Sequence, residues 1–294
     1  MIFMSNDFGK RRVWALALGV FLLTSPVGAV SVIVPNNYAG TEGGNNNSFP
    51  FNIAASSLSS ARYQQIYNAG EFTAMPGGGY ITQILFRPDT GTHGFAFSST
   101  LGDVRIDLST TSVGADGMNT TFANNVGADA VNVYFGALPL SSTCTGPVAG
   151  PKDFDIVINL RTPFFYNPVN GNLLMDVWNY NGGSSTYFDA VWAFGDPISR
   201  LYTFLGASAS TGQTDSAGLV TKFTIVTPAL HLDLSATNLV FSWTTNAVGW
   251  HLQSAPSPVG AWSDFTVSTQ SQGANIVATV ATTNACQFFR LTYP

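Results

Sequence analysis

The stretch DVRIDLST, residues 103–110, decides the fold class. Val104, Ile106 and Leu108 point to one side of an extended chain, and Arg105 and Asp107 point to the other. That period of two is what a half-buried antiparallel strand requires. Runs of similar size recur in YITQILF (80–86), AVNVYFGAL (130–138), FDIVINL (154–160), NLLMDVWNY (172–180) and GLVTKFTIV (218–226). Between them lie RPDTGTHG (87–94), NPVNGN (167–172) and NYNGGSS (179–185), whose residue types supply the backbone angles of tight turns. No segment sustains a helical period, although AASSLSSARYQQIYNA (54–69) has room for one helical turn or a short strand. NNYAGTEGGNNNSFPFN (36–52) is polar and aperiodic, and reads as a loop. The expected fold is all-β: an antiparallel β-sandwich, with the jelly roll as candidate topology.

Composition agrees. The 294 residues are 45% apolar and 13% aromatic, enough to fill a core, while only 9% are charged, the balance of exported β proteins rich in turns. At the N-terminus Lys10, Arg11 and Arg12 precede an apolar run from Val13 to Leu23, followed by Pro26 and a small-residue Val27-Gly28-Ala29 site. This pattern is that of a secretory signal peptide over 1–29. The run is about half the roughly 20 residues a membrane helix needs. Cleavage after Ala29 would leave no transmembrane helix, so the protein is expected to be secreted or at the cell surface. It would also remove three of the 11 basic and one of the 16 acidic residues, leaving a formal charge of −7. An acidic chain without a basic stripe is not a nucleic-acid binder. Cys144 and Cys286 are the two cysteines, and a disulfide or two unpaired thiols are both open readings.

A second change of texture comes at VTPALHLDLSA (226–236), where Pro228 ends one run and a smaller set begins: NLVFSWTT, GWHLQSAP, AWSDFTV, NIVATVATT and QFFRLTYP. The organisation expected is a signal peptide over 1–29, a β-sandwich domain over 30–227 and a small β module over 228–294.

Several stretches, taken in order, carry a resemblance. VPNNYAG, RYQQIYNAGEF, ITQILFRPD, TTFANNVGAD, GPKDFDIVINLRTPFFYNP, GNLLMDVWNYNGG and GLVTKF resemble the N-terminal region of exported bacterial proteins, many of which end in a Pro-Glu-Pro type sorting signal. The resemblance spans about residues 34–226 and implies export and domain extent, not a chemistry. The sorting motif with its apolar helix and basic tail does not occur after residue 226, so membrane sorting by that route is not expected. Instead Trp243, Leu252, Gln253, Trp262 and the run Phe288 to Leu291 are similar to small fibronectin type III-like modules of large exported proteins, which carry no catalytic residues of their own.

Catalytic constellations are absent from the sequence pattern. Asp153 and Asp155 in GPKDFDIVINLRTPF (150–164) share one face of an extended chain, whereas glycosidase carboxylates approach a bond from opposite sides of a cleft. The three histidines, His93, His231 and His251, sit in no triad or zinc-binding spacing. No enzyme is therefore expected. A polysaccharide hydrolase using acids from separate strands, such as Glu71, Asp155, Asp176 or Asp189, is the rival reading. No cofactor is expected; calcium stays open through the loops around Asp116 and Asp129. The candidate ligand-binding residues are Asp176, Trp178 and Tyr180. With Leu173, Met175 and Val177 toward the core, Leu174, Asp176, Trp178 and Tyr180 would form an aromatic row with one carboxylate, on which a sugar ring could stack. The alternative is that both faces of that strand are covered and Trp178 is packing. The function expected is a non-catalytic envelope, matrix or adhesion component with glycan contact.

Overall fold

The computed structural model describes residues 29–292 apart from 76, 92, 236, 246–248 and 282–286. The expected signal segment thus lies outside the described residues except for Ala29, and so does Cys286; Cys144 is half-buried. Two compact units divide between Thr227 and Pro228. Among the described residues every regular element is a strand or a short 3-10 turn, and no helix is long and apolar enough to cross a membrane.

The large unit contains β1 (Ala29–Val34), β2 (Asn45–Asn47), β3 (Ala61–Tyr67), β4 (Gly79–Phe86), β5 (Phe97–Thr111), β6 (Val131–Ser142), β7 (Ile156–Tyr166), β8 (Asn172–Asn179), β9 (Phe188–Trp192), β10 (Ile198–Tyr202), β11 (Gln213–Asp215), β12 (Ala217–Leu219) and β13 (Thr221–Val226). They form sheets ordered β1-β13-β4-β7, β11-β10-β3-β8-β5-β6 and β12-β9-β2, all antiparallel. If β1, β3 to β8 and β13 are lettered B to I in chain order, the two larger sheets contain B-I-D-G and C-H-E-F. This is the arrangement of a jelly roll, with β9 to β12 inserted before the last strand.

The alternation in the sequence explains which faces meet. Val104, Ile106 and Leu108 of β5 are fully buried and join Ile81 and Ile84 of β4, Phe223 of β13 and Leu173, Met175 and Val177 of β8 in one core. Phe223 sits at its centre, its ring 4.9 Å from Tyr67 and 5.7 Å from Phe72. Three expected segments differ in detail. The run at 154–160 becomes a strand only from Ile156, because the Asp153 and Asp155 backbone is held in a local turn by the Asp155 N–H donating to the Asp153 carbonyl. The run at 218–226 is divided between β12 and β13. Residues 54–69 hold both a 3-10 turn (Ile53–Ser56) and β3, a central strand.

The small unit has β14 (His231–Ser235), β15 (Asn238–Thr244), β16 (His251–Ala255), β17 (Ser263–Asp264), β18 (Thr269–Gln272), β19 (Asn275–Ala281) and β20 (Phe288–Thr292), in sheets β14-β15-β19-β18 and β17-β16-β20. Its core is built on Phe241, Trp243, Leu252 and Phe289, with the two phenylalanine rings 4.6 Å apart.

Truncating Phe223 to alanine removes the ring that Tyr67 and Phe72 pack against. It should cost about 3–5 kcal/mol, read as a lower urea midpoint of the large unit with the slope of the transition unchanged.

Candidate functional site

Of the row expected to form an open platform on β8, Leu174 and Asp176 are buried and Trp178 is half-buried, and Leu174 belongs to a second, smaller core on the outer face of its sheet. Leu174 packs there with Ile66, Leu201, Met118 and Phe122, the last two contributed by the segment that follows β5. Asp176 is 2% exposed. It accepts from Arg62 Nε (3.1 Å) and Nη2 (2.8 Å) and from Gln64 Nε2 (2.6 Å), and Gln64 also donates to the Phe122 carbonyl. Burial raises the Asp176 carboxyl above its ordinary range, against the pull of Arg62 and Gln64. Trp178 stands between its two cross-strand neighbours, Arg62 on β3 and Arg105 on β5, whose guanidinium carbons lie 4.3 and 4.7 Å from the ring. The indole that was expected to stack on sugar therefore stacks on two cations. Tyr180 alone of the three remains exposed.

The other acids singled out in the sequence are dispersed. Asp155 accepts from Ser142 Oγ (2.7 Å) and from the Thr143 N–H and Oγ1 (2.8 and 3.0 Å), closing the β6–β7 connection; Asp153 accepts from Thr145 Oγ1. Glu71 accepts from the Asn36 N–H, and Asp129 from the Thr110 N–H. Asp116, at φ 60°, uses Oδ2 to accept from the Gly195 N–H (2.7 Å). Its charge adds to the burial that pushes Asp196 up to about 6.

An open groove lies instead beside the inserted strands. Asn45, Asn46, Asn47, Ser48 and Phe49 form one wall, held by the pairing of β2 with β9, and Arg200, Tyr202 and Phe204 form another. Ala190 and Ala217 are small enough to leave the intervening space empty, about 240 Å³. Trp192, the last residue of β9, opposes Ala217 across the ladder and is 64% exposed at the groove; Phe204 is 49% exposed. Phe49, Tyr202 and Phe204 pack edge to face at 5.4 to 5.7 Å, which fixes the ring orientations. Asn47 is buried with its Oδ1 accepting from the Phe49 N–H (3.0 Å), so its amino group is the free end, and that group has no hydrogen-bond partner. Arg200 is engaged by both oxygens of Asp215 at 2.8 Å and lies over the Tyr202 ring. The groove thus offers aromatic faces and amides, but no uncommitted charge. FDAVW is a short, largely apolar run of strand length that ends in tryptophan, which was the available signal for Trp192.

Behind β2 and β9 is a buried ionic centre. Arg87 Nε donates to Asp189 Oδ2 at 2.6 Å, with side chains 1% and 0% exposed, and its Nη2 donates to the carbonyls of Tyr38 (2.9 Å) and Thr41 (2.6 Å). Asp189 Oδ1 accepts from the Gly43 N–H (2.9 Å). Gly43 is required there, since a Cβ would stand 2.3 Å from the Ala190 carbonyl oxygen. One carboxylate oxygen from each of Glu42, Asp89 and Asp189 falls within 4.8 Å of the others. His93, at the rim, reaches Asp89 at 3.4 Å and packs edge-on to Tyr187. Burial pushes Asp89 up to about 7, with the adjoining Glu42 adding to the rise. Asp189 is also raised to about 7, chiefly by burial, with Arg87 opposing and Glu42 adding. No spacing in the sequence announces this centre.

No family model, curated protein or solved structure matches this chain.

The raised aspartates have a consequence for stability. In the unfolded chain they titrate near 4, so between about pH 4 and pH 7 the folded state holds protons that the unfolded state has released, and their contribution to stability falls as pH rises. In buffer free of divalent cations, the melting temperature of Asp89→Asn should therefore decline less across that range than that of the parent chain; parallel profiles would refute the assignment.

Proposed function

We propose that the large unit is a non-catalytic glycan-binding module of an exported protein, and that the groove beside Trp192 holds the sugar. The observation that carries this reading is the conjunction of an exposed indole, a fixed cluster of phenol and phenyl rings and three consecutive asparagines around one cavity. Pyranose rings present apolar C–H faces to aromatic rings and a belt of hydroxyls to amides, and binding sites of mixed apolar walls and a few oriented polar groups suit them. The signal-like N-terminus supports placement outside the cell, where such a module meets envelope or matrix polysaccharide.

Binding is favoured over hydrolysis because the residues lining the groove include no carboxylate and no histidine. Glycoside cleavage needs two carboxyl groups about 5 to 10 Å apart on either side of the bond. Of the acids that would serve, Glu71 and Asp155 are engaged in local turns and connections, and Asp176 and Asp189 in buried arginine pairs.

A panel of neutral oligosaccharides measured by array and calorimetry should yield a ligand whose affinity falls at least about tenfold in Trp192→Ala, the loss expected for one stacking contact of about 1.4 kcal/mol. Trp178→Ala should leave that affinity unchanged while lowering stability. Binding lost in Trp178→Ala and kept in Trp192→Ala would overturn the proposal.

A further inference from the structure

We propose that Glu42, Asp89 and Asp189 together hold one divalent metal ion of the calcium type. The three acids come from three separate segments: the stretch before β2, the turn after β4, and β9. Their converging oxygens, within 4.8 Å of one another, match the span across a single ion that binds ligands at about 2.3 to 2.6 Å.

Proximity of acids alone would not carry this. The independent observation is Glu42, half-buried as a residue, whose two carboxylate oxygens each expose less than 1 Å² and neither of which has a hydrogen-bond partner. Its neighbour in the gap is the Asp89 carboxyl, which can donate to it only when protonated and is otherwise an acceptor like itself. Other carboxylates drawn out of water in the unit have at least one oxygen engaged: Asp176 has Arg62 and Gln64, Asp215 has Arg200, and Asp116 and Asp196, each with one unpartnered oxygen, accept through the other from the Gly195 and Ile198 N–H groups. Glu42 points a desolvated anionic group at two others and receives nothing, an arrangement stable only if a cation or shared protons fill the gap.

Charge accounting favours the cation. Three carboxylates face one guanidinium, and Arg87 spends its Nε and one Nη2 on Asp189, Tyr38 and Thr41. Two negative charges remain uncompensated, apart from His93, which is more than half exposed. A dication cancels them. The ligand set is entirely oxygen, which selects calcium or magnesium over zinc or copper, and a site assembled from irregular segments tolerates the variable geometry of calcium better than the strict octahedron of magnesium. Asp189 is already oriented by Arg87 and by the Gly43 N–H, leaving its remaining lone pairs for the ion, with water or loop carbonyls completing the shell. Binding would tie the segment carrying Glu42 to β9, directly beside the asparagine wall of the groove. The site stands without the glycan reading, because the ion is measured directly and with no sugar present.

The test uses the full chain, stripped with chelator and titrated at pH 8 with calcium chloride or magnesium chloride by calorimetry, with the melting temperature read in parallel. One calcium per chain is expected, binding more tightly than magnesium, with a rise in melting temperature of roughly 5 °C at saturating ion. Glu42→Gln and Asp89→Asn, each checked for native circular dichroism, should weaken calcium at least tenfold, while Asp153→Asn should titrate as the parent does. Absence of calcium heat and of any thermal shift in the parent chain would overturn the proposal outright, leaving shared protons as what fills the gap. So would unchanged affinity in folded Glu42→Gln and Asp89→Asn, which would put the ion elsewhere, at the Asp116 or Asp129 loops. If neither variant folds, Asp116→Asn and Asp129→Asn decide the place: calcium affinity kept in both supports the Glu42 centre, and affinity lost in either overturns it.

Discussion

A guanidinium sealed from water must be answered by charge and hydrogen bonds, and the way Arg87 is answered organises the functional end of the large unit. Its partners are Asp189 on β9 and the carbonyls of Tyr38 and Thr41, so one side chain at the end of β4 pins both an inserted strand and a polar segment of 17 residues (36–52) that has almost no regular structure of its own. Removing either member of such a pair strands the other in a medium that cannot solvate it, typically a loss of about 3–5 kcal/mol. The groove depends on that anchorage. Its asparagine wall is the continuation of the same segment, and its floor belongs to the strand that carries Asp189.

The six-stranded sheet obeys a different constraint. One face meets the sandwich core, and the other is capped by Phe122 and Met118 from the connection between β5 and β6. The polar side chains on that outer face satisfy one another in two groups: Arg62 and Gln64 of β3 with Asp176 across the ladder on β8, and Arg105 with Asp107 along β5. Such networks are costly half-made and rigid when complete. They explain why the acid on the outer side of this alternating strand is sealed and its indole is flanked by two guanidinium groups.

How much of this was legible follows from where the information lies. β4, β5, β6 and β8 show in the sequence because their alternation is local and strong. β3 does not, because Arg62, Gln64 and Gln65 make ARYQQIY look like surface, although Gln64 and Gln65 are fully buried and paired, Gln65 with the Leu219 backbone and the Tyr63 hydroxyl. Alternation assigns side chains to two faces but says nothing of what lies over each. That is why Leu174 was readable as part of a platform while the segment packed over it, 112–126, was not. The acid centre was the least legible: Glu42 and Asp189 are separated by most of the domain, and only the folded jelly roll with its insertion brings them to one point.

The close approach at Gly43 sets how this end of the molecule can diversify. With the backbone just before β2 pressed against β9 so tightly that not even a methyl group fits, the seat of the asparagine wall on the groove floor is fixed by main chain rather than by replaceable side chains. On the proposed sugar-binding reading, preference could be retuned through chemistry displayed on that frame, at positions such as 45, 46, 192 and 204, while the seat of that wall stays constant.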